Sequence, residues 1–373
     1  MVGLSFIRLD CRHFKGDKPC PLNSSCKSCS HYQTQGKKIL IIKLSASGDV
    51  LRTTPILHGL KRKYPLSFIT WLTKKESQDL LKTNPFIDRL LVYGLEAIER
   101  IKLERFDILI ALDKEDEATA LASLARAKRK IGFGLDRKTG NLIPLNKESR
   151  YAFELGLSDE LKFRHNQKTY PEIIFEMAAL EYQNDEYTLN ISEVDKAYAK
   201  ELLSEIEAND NGLIIGLNTG AGDRFAHKAW TEDGFVELIR LIRANTAAAV
   251  LLLGGPQEIQ RNASIAKKVG NLAFDTGCNH TLSQFSAIID FCSLIVSSDT
   301  TALHIAIALK KKTVALFGST CQQEIELYSR GQKLFSDIKC RPCYKKDCEK
   351  QINCMTLIKP VEVFQAINKL LPK

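Results

Sequence analysis

Short apolar runs alternate with amphipathic helical segments along nearly the whole chain, and the alternation occurs in two separate blocks. "KKILIIKL" (37–44) is apolar without a polar face, the pattern of a strand covered on both sides in a parallel sheet. After the small-residue turn "SASGD" (45–49), "VLRTTPILHGLKRKYP" (50–65) reads as one helix. Ile56, Leu60 and Tyr64 share a face of it, and Pro55 is expected in a first turn, where a missing N–H costs little. Strand "SFITWLT" (67–73), strand "FDILIAL" (106–112), helix "EATALASLARAK" (117–128) and the short strand and turn "KRKIGFG" (128–134) follow. Alternation at this spacing predicts an open parallel α/β sheet.

Between about 164 and 210 the pattern becomes charged and helical, with "PEIIFEMAALEY" (171–182) and "VDKAYAKELLSEIEAND" (194–210), and its end reads as a linker. A second block starts at strand "GLIIGLN" (212–218) and runs through "AAAVLLLGG", "LAFDTG", "SLIVSSD" and "KTVALFGST", each separated from the next by a helical segment. The chain closes on "PVEVFQAINKLL" (360–371), whose Val363, Ile367 and Leu370 share a face and predict a docked helix. Four units are expected: a Cys-rich segment 1–36, a first Rossmann-like domain 37–207, a second 208–355 and a terminal helix 356–373. Two such sheets bind ligands at the carboxyl ends of their strands, in the crevice between them.

No run approaches the roughly 18 apolar residues of a membrane span, and the first residues do not read as a signal peptide, so a cytoplasmic protein is expected. The net charge of +9 points to anionic partners, and no nucleic-acid-binding motif accompanies it. Cysteines gather at both ends. Cys11, Cys20, Cys26 and Cys29 form a candidate metal knuckle, and Cys340-x2-Cys343-x4-Cys348-x5-Cys354 has similar ligand-like spacing. Four thiolates suit Zn²⁺ or an Fe–S cluster as a structural group.

Four turns can carry chemistry. In "KLSASGD" (43–49) the small residues let backbone approach a ligand, and Asp49 either acts as a general base or only caps the next helix. The dinucleotide fingerprint G-x-G-x-x-G is absent there, which argues against a nicotinamide enzyme. In "LNTGAGDRFAHKAW" (217–230), Asn218, Thr219 and Gly220 form a polar turn able to meet a phosphate, Lys228 adds a cation, and Thr231 is the expected cap of the following helix. In "SSDTTALHIAIAL" (297–309), Ser298 or Asp299 is expected to cap a helix whose first N–H groups, with Thr300, Thr301 and Ala302, face an anion. His304 lies one turn further, as a packed residue or a ligand contact. "LLGGPQE" (252–258) places Glu258 at the same edge, suited to a ribose.

In their order, "ILIIKLSASGDVLRTTPIL", "NTGAGDRFAHKAW", "LLGGPQE", "SSDTTALHIAIAL", "ALFGST" and "CRPCYKKDCEKQINCM" resemble the heptosyltransferase family, glycosyltransferase family 9, from about 38 to 371. The resemblance implies a GT-B fold and inverting transfer of a sugar from a nucleoside diphosphate donor (ADP-heptose) to a lipopolysaccharide-core-like acceptor hydroxyl, with no metal required for transfer. It implies Asp49 as base, Lys228 as phosphate-binding cation, Asp299, Thr300 and Thr301 at the diphosphate and sugar, and Glu258 at the nucleoside. The chain departs from the family at Thr301, where glycine is frequent, and in its Cys-rich first 36 residues.

A lipid-linked acceptor would place the protein peripherally at the inner membrane, with Lys61–Lys63 and Lys74–Lys75 as candidate contacts to an anionic surface. The competing readings are a GT-B transferase using another nucleotide sugar for a different glycan, and an inactive metal-bearing binding module on the same fold.

Overall fold

The computed structural model describes residues 6–16, 20, 22, 25–204, 206, 212–222, 225 and 228–371. The boundary expected at 207/208, and positions 223, 224, 226 and 227 of the second turn, lie outside the described residues. Two six-stranded sheets form the molecule. The first is built from β1 (Lys38–Ile42), β2 (Phe68–Thr73), β3 (Arg89–Val92), β4 (Arg105–Ala111), β5 (Arg126–Leu135) and β6 (Leu142–Pro144), in the order β3-β2-β1-β4-β5-β6. The second comprises β7 (Ile214–Asn218), β8 (Ala249–Leu253), β9 (Phe274–Asp275), β10 (Leu294–Ser298), β11 (Lys312–Phe317) and β12 (Gly331–Phe335), in the order β12-β11-β10-β7-β8-β9. All neighbours are parallel except β5 and β6.

The central strands owe their place to burial. Ile39, Leu40, Ile41 and Ile42 of β1 are inaccessible to solvent, with helices on both faces of the sheet. In each sheet the strand order reverses beside the first strand, so crevices open at the carboxyl ends of β1/β4 and β7/β10. Register carries Asn218 opposite Ser297 at the second crevice.

The expected helix over 50–65 is broken in two, Ser47–Thr53 and Ile56–Lys63. Thr54 and Pro55 keep helical dihedrals, but Pro55 has no N–H to donate back to the preceding turn, so the hydrogen-bond ladder breaks there and Pro55 becomes the N-cap of the second piece. The helix expected over 117–128 spans Asp116–Leu124, and β5 begins at Arg126. Good helix formers there yield to a parallel ladder with β4, in which Arg105 faces Arg126 and Phe106 faces Ala127. Strands β3 and β12 and the Leu95–Leu103 helix carry no strong sequence pattern and were not expected.

The Glu232–Asn245 helix starts at Thr231 as expected, the hydroxyl accepting the Gly234 N–H at 3.0 Å. The terminal helix Pro360–Leu370 buries Val363 and Ile367 against the second lobe, in a cluster with Trp230 and Phe235. The Glu193–Leu202 helix precedes the second sheet in the chain but packs Ala199 into the second lobe's core. Between the lobes the Ser47–Thr53 and Thr301–Ala308 helices touch. A Cβ on Gly48 would stand 2.6 Å from Cδ2 of His304, so only glycine permits this approach. Leu51 and Leu80 of the first lobe belong to the same apolar cluster as Leu303 and Phe285 of the second. Among the described residues, no helix is long and apolar enough to cross a membrane.

Candidate active site

A cleft of about 570 Å³ lies where the carboxyl ends of the two sheets face each other. The first lobe brings Asp49 to it from the first turn of the Ser47–Thr53 helix. Asp49 sits at the third position of the helix, not at its N-cap, which is Ala46. Its Oδ2 accepts the backbone N–H of Ala46 at 3.4 Å, closing the helix start, while the carboxylate still borders the cleft. Arg52, one turn on, meets it with Nε 2.9 Å from Oδ1. Burial opposes ionisation of Asp49, but Arg52, Lys43 and His304 together outweigh it and hold the carboxyl well below the usual carboxylate range.

The turn beneath Asp49 rests on a buried ion pair. Lys43 and Asp113, at the ends of β1 and β4, are paired side chain to side chain, and Lys43 Nζ also donates to the Ser45 carbonyl at 2.8 Å. Asp113 Oδ2 accepts the Leu44 N–H at 2.5 Å. Burial works against the Lys43 charge, yet Tyr170, Asp113 and Asp49 raise its pKa above the ordinary lysine value. Arg52 is held over the Tyr170 ring at 3.9 Å, and its Nη1 lies 3.9 Å from Glu324 of the second lobe.

The second lobe supplies the opposite charge. Lys228 stands 3.5 Å from Asp299 Oδ2, and His304 Nε2 lies 3.8 Å from Asp299 Oδ1. Burial raises the Asp299 carboxyl, and Lys228, His304 and Arg52 bring it below its ordinary value. Burial pushes His304 down to about 4, with Asp299 only partly compensating, so the ring is neutral at physiological pH.

The expected cap is corrected: β10 continues through Ser298, and Thr300 is the N-cap of the Thr301–Ala308 helix. The Thr300 hydroxyl is 3.3 Å from Asn218 Nδ2 and 3.1 Å from Ser297 Oγ, so Asp299 keeps its carboxylate for the cleft. Glu258 folds back to accept the Gly255 N–H at 2.9 Å, and a Cβ on Gly220 would collide with its carboxyl at 2.2 Å.

Asp49, Lys228, Asn218, Gly220, Glu258, Asp299, Thr300, Thr301, Ala302 and His304 all border this one cleft. Thr219 does not: it is buried, its N–H donates to Leu253 and its hydroxyl to Asn262 at 2.5 Å, so it ties β7 to its neighbours. Arg52, Lys43, Asp113 and Glu324 were missed by sequence reasoning. Only Arg52 left a local signal, its i,i+3 spacing from Asp49.

Four of the five expected basic membrane contacts have partners within the molecule, and Lys75 is exposed. Lys61 bonds the Ser67 carbonyl and Asp88, Arg62 pairs with Asp185, Lys63 reaches the Ala179 carbonyl and Lys74 pairs with Glu117.

Cys11, Cys20, Cys26 and Cys29 surround a separate cavity of about 20 Å³. Arg12 of that segment holds Asp88 at 2.9 Å and the Ser67 carbonyl at 2.9 Å, at the amino ends of β2 and β3 and thus at the far end of the sheet from the cleft. Among the described residues, no three His, Cys, Asp or Glu side chains are placed to share a metal ion, and no disulfide links the cysteines.

Comparison with known proteins decides the family. The sequence profile of "Glycosyltransferase family 9 (heptosyltransferase)" matches residues 95–353. The chain belongs to glycosyltransferase family 9. The family 9 match contains Lys228, Glu258 and Asp299, while Asp49 precedes it. The lipopolysaccharide core heptosyltransferase OpsX of Haemophilus influenzae is 25% identical over 299 residues, 75% of this chain and 79% of that protein. Among solved structures, the family 9 glycosyltransferase of Veillonella parvula superposes with a TM-score of 0.70 at 20% identity, covering 90% of this chain and 97% of that one. The ADP-heptose LPS heptosyltransferase II of Escherichia coli superposes with a TM-score of 0.65 at 19% identity, covering 89% and 98%. The family 9 chain is therefore a glycosyltransferase, and its two facing sheets are the GT-B fold.

Proposed function

We propose that the cleft transfers a sugar, a heptose, with inversion from a nucleoside diphosphate to a hydroxyl of a lipopolysaccharide-core-like acceptor at the inner membrane surface. The observation that carries this reading is the placement of an ionised carboxylate from one lobe, Asp49, across a shared cleft from a cation, Lys228, and the first N–H groups of the Thr301–Ala308 helix. The likeness to a lipopolysaccharide core heptosyltransferase supports the choice of donor sugar and acceptor.

In this mechanism the acceptor oxygen attacks the anomeric carbon as its proton passes to Asp49. The bond from that carbon to the diphosphate oxygen breaks, and the nucleoside diphosphate leaves with the electron pair. Lys228 and the amides at Thr300–Ala302 stabilise the growing negative charge, the part a bound cation plays in other transferases. Asp299 would repel the diphosphate if it faced it, so its carboxylate is assigned to the sugar hydroxyls, with Lys228 between the two. Glu258, Asn218 and Gly220 are assigned to the nucleoside side. Arg52 keeps Asp49 ionised and aimed, which favours a firmly held charge over a strongly basic one.

The test is transfer measured with ADP-, UDP- and GDP-linked sugars against lipid-linked saccharide extracts. ADP-heptose is expected to be the productive donor, and Asp49→Ala and Lys228→Ala should each lower kcat by at least about 10²–10³. Near-wild-type turnover in either variant would remove that residue from the chemistry, and preference for another nucleotide would replace the donor.

A further inference from the structure

The Cys-rich tail enters the cleft through one side chain. The tail segment 340–355 leaves the wall of the second lobe, and the N–H groups of Cys343 and Tyr344 both donate to the Ser319 carbonyl at 3.0 Å. Ser319 lies in the loop after β11, in the "ALFGST" motif. Tyr344 is thereby turned inward with φ +51°, a left-handed conformation that a residue with a Cβ adopts only when its surroundings enforce it. Its hydroxyl accepts the Cys321 N–H at 3.1 Å.

The ring then meets three groups from two lobes. Phe163 of the first lobe stacks on it with centroids 5.6 Å apart and planes 6° from parallel. Phe225 of the second-lobe turn meets it edge-on at 5.3 Å and 88°. Lys162 Nζ lies 4.2 Å from the ring centre. Phe225 in turn lies under Lys228, whose Nζ is 5.9 Å from its ring centre, and Lys228 reaches Asp299. Phe225, Lys228 and Tyr344 all border the cleft.

We infer that Tyr344 is a positioning residue for donor binding: it holds Phe225, against which Lys228 rests, in the place from which Lys228 can reach the diphosphate. This rests on the proposed role of Lys228. Offset and edge-on aromatic contacts fix direction as well as separation, which suits them to hold Phe225 in place. Stacking on Phe163 makes the same ring a contact between the lobes. Tyr344 itself moves no proton: burial raises its hydroxyl far above the ordinary tyrosine value, and that hydroxyl already accepts from Cys321.

The experiment is a double-mutant cycle on the full chain, with calorimetric binding of ADP and steady-state transfer as readouts and thermal melting as the check on folding. Tyr344→Leu, which keeps apolar bulk, is expected to weaken ADP binding and raise donor KM about tenfold with a smaller change in acceptor KM. Tyr344→Phe, which keeps both ring contacts, should restore donor KM to within about threefold of wild type. Tyr344→Leu added to Lys228→Ala should cost little beyond Lys228→Ala alone, because both act through one cation. Effects that multiply, or unchanged ADP binding in a folded Tyr344→Leu protein, would overturn the inference. Absence of ADP binding by the wild type would instead remove the donor reading on which it rests.

Discussion

Asp49 is ringed by positive charge before any substrate arrives, and this fixes how the site should respond to pH. Its pKa is depressed in the folded protein, so the carboxylate stays ionised until pH falls through that low value, and its role is lost only below it. His304 gains a proton only near its own value of about 4. The kcat/KM profile of the wild type should therefore show no ionisation from either group between about pH 5 and 8. Arg52→Ala removes the largest charge that lowers the Asp49 pKa, so the acid limb of kcat/KM should move to higher pH, read from a pH–rate profile. An unmoved limb would show that Asp49 does not set it. Asp113→Ala leaves the Lys43 ammonium buried without its carboxylate and should cost about 3–5 kcal/mol in denaturant unfolding. Asp49 and Lys228 stood out in the sequence because each sits in a short turn after an apolar run. The Lys43–Asp113 pair did not, since its members are 70 residues apart and meet only once β1 and β4 pair.

Elements were legible wherever one local signal faced no tertiary rival. Strands β1, β7 and β8 are unbroken apolar runs, and the Glu232–Asn245 helix has both its cap and its apolar stripe in sequence order. Misreadings arose where a neighbour decided. Arg126–Lys128 leave helix for strand because β4 offers a ladder. The Thr301–Ala308 helix begins one or two residues later than expected because β10 pairs with β11 as far as Ser298. The crossing of that helix with Ser47–Thr53 was invisible in sequence, since Gly48 reads as a flexible turn residue until His304 is placed against it. Gly48→Val would force branched carbons into the His304 ring and should destabilise the protein by about 1–3 kcal/mol, measured by denaturant titration, while lowering turnover. Full activity with unchanged stability would mean the two helices separate freely.

At the scale of the molecule, two sheets follow the sequence closely, but the division between them does not fall at one point in the chain. The Glu193–Leu202 helix precedes the second sheet and packs within its lobe, and Leu51 and Leu80 extend the second lobe's apolar cluster into the first. Shared core of this kind couples the unfolding of its parts. Calorimetry should show a single heat-absorption peak without ligand, and two resolved peaks would mean the lobes melt independently. Gly48 and His304 meet at the cleft, and Tyr344, which also borders it, stacks on Phe163 of the first lobe. Seated this closely, the two helices cannot slide past each other without moving the His304 ring. Parting the lobes to admit a bulky acceptor would therefore break several directional contacts at once: the Phe163–Tyr344 stack, the Tyr170 N–H on the Glu324 carbonyl and the Gln323 amide on the Lys162 carbonyl.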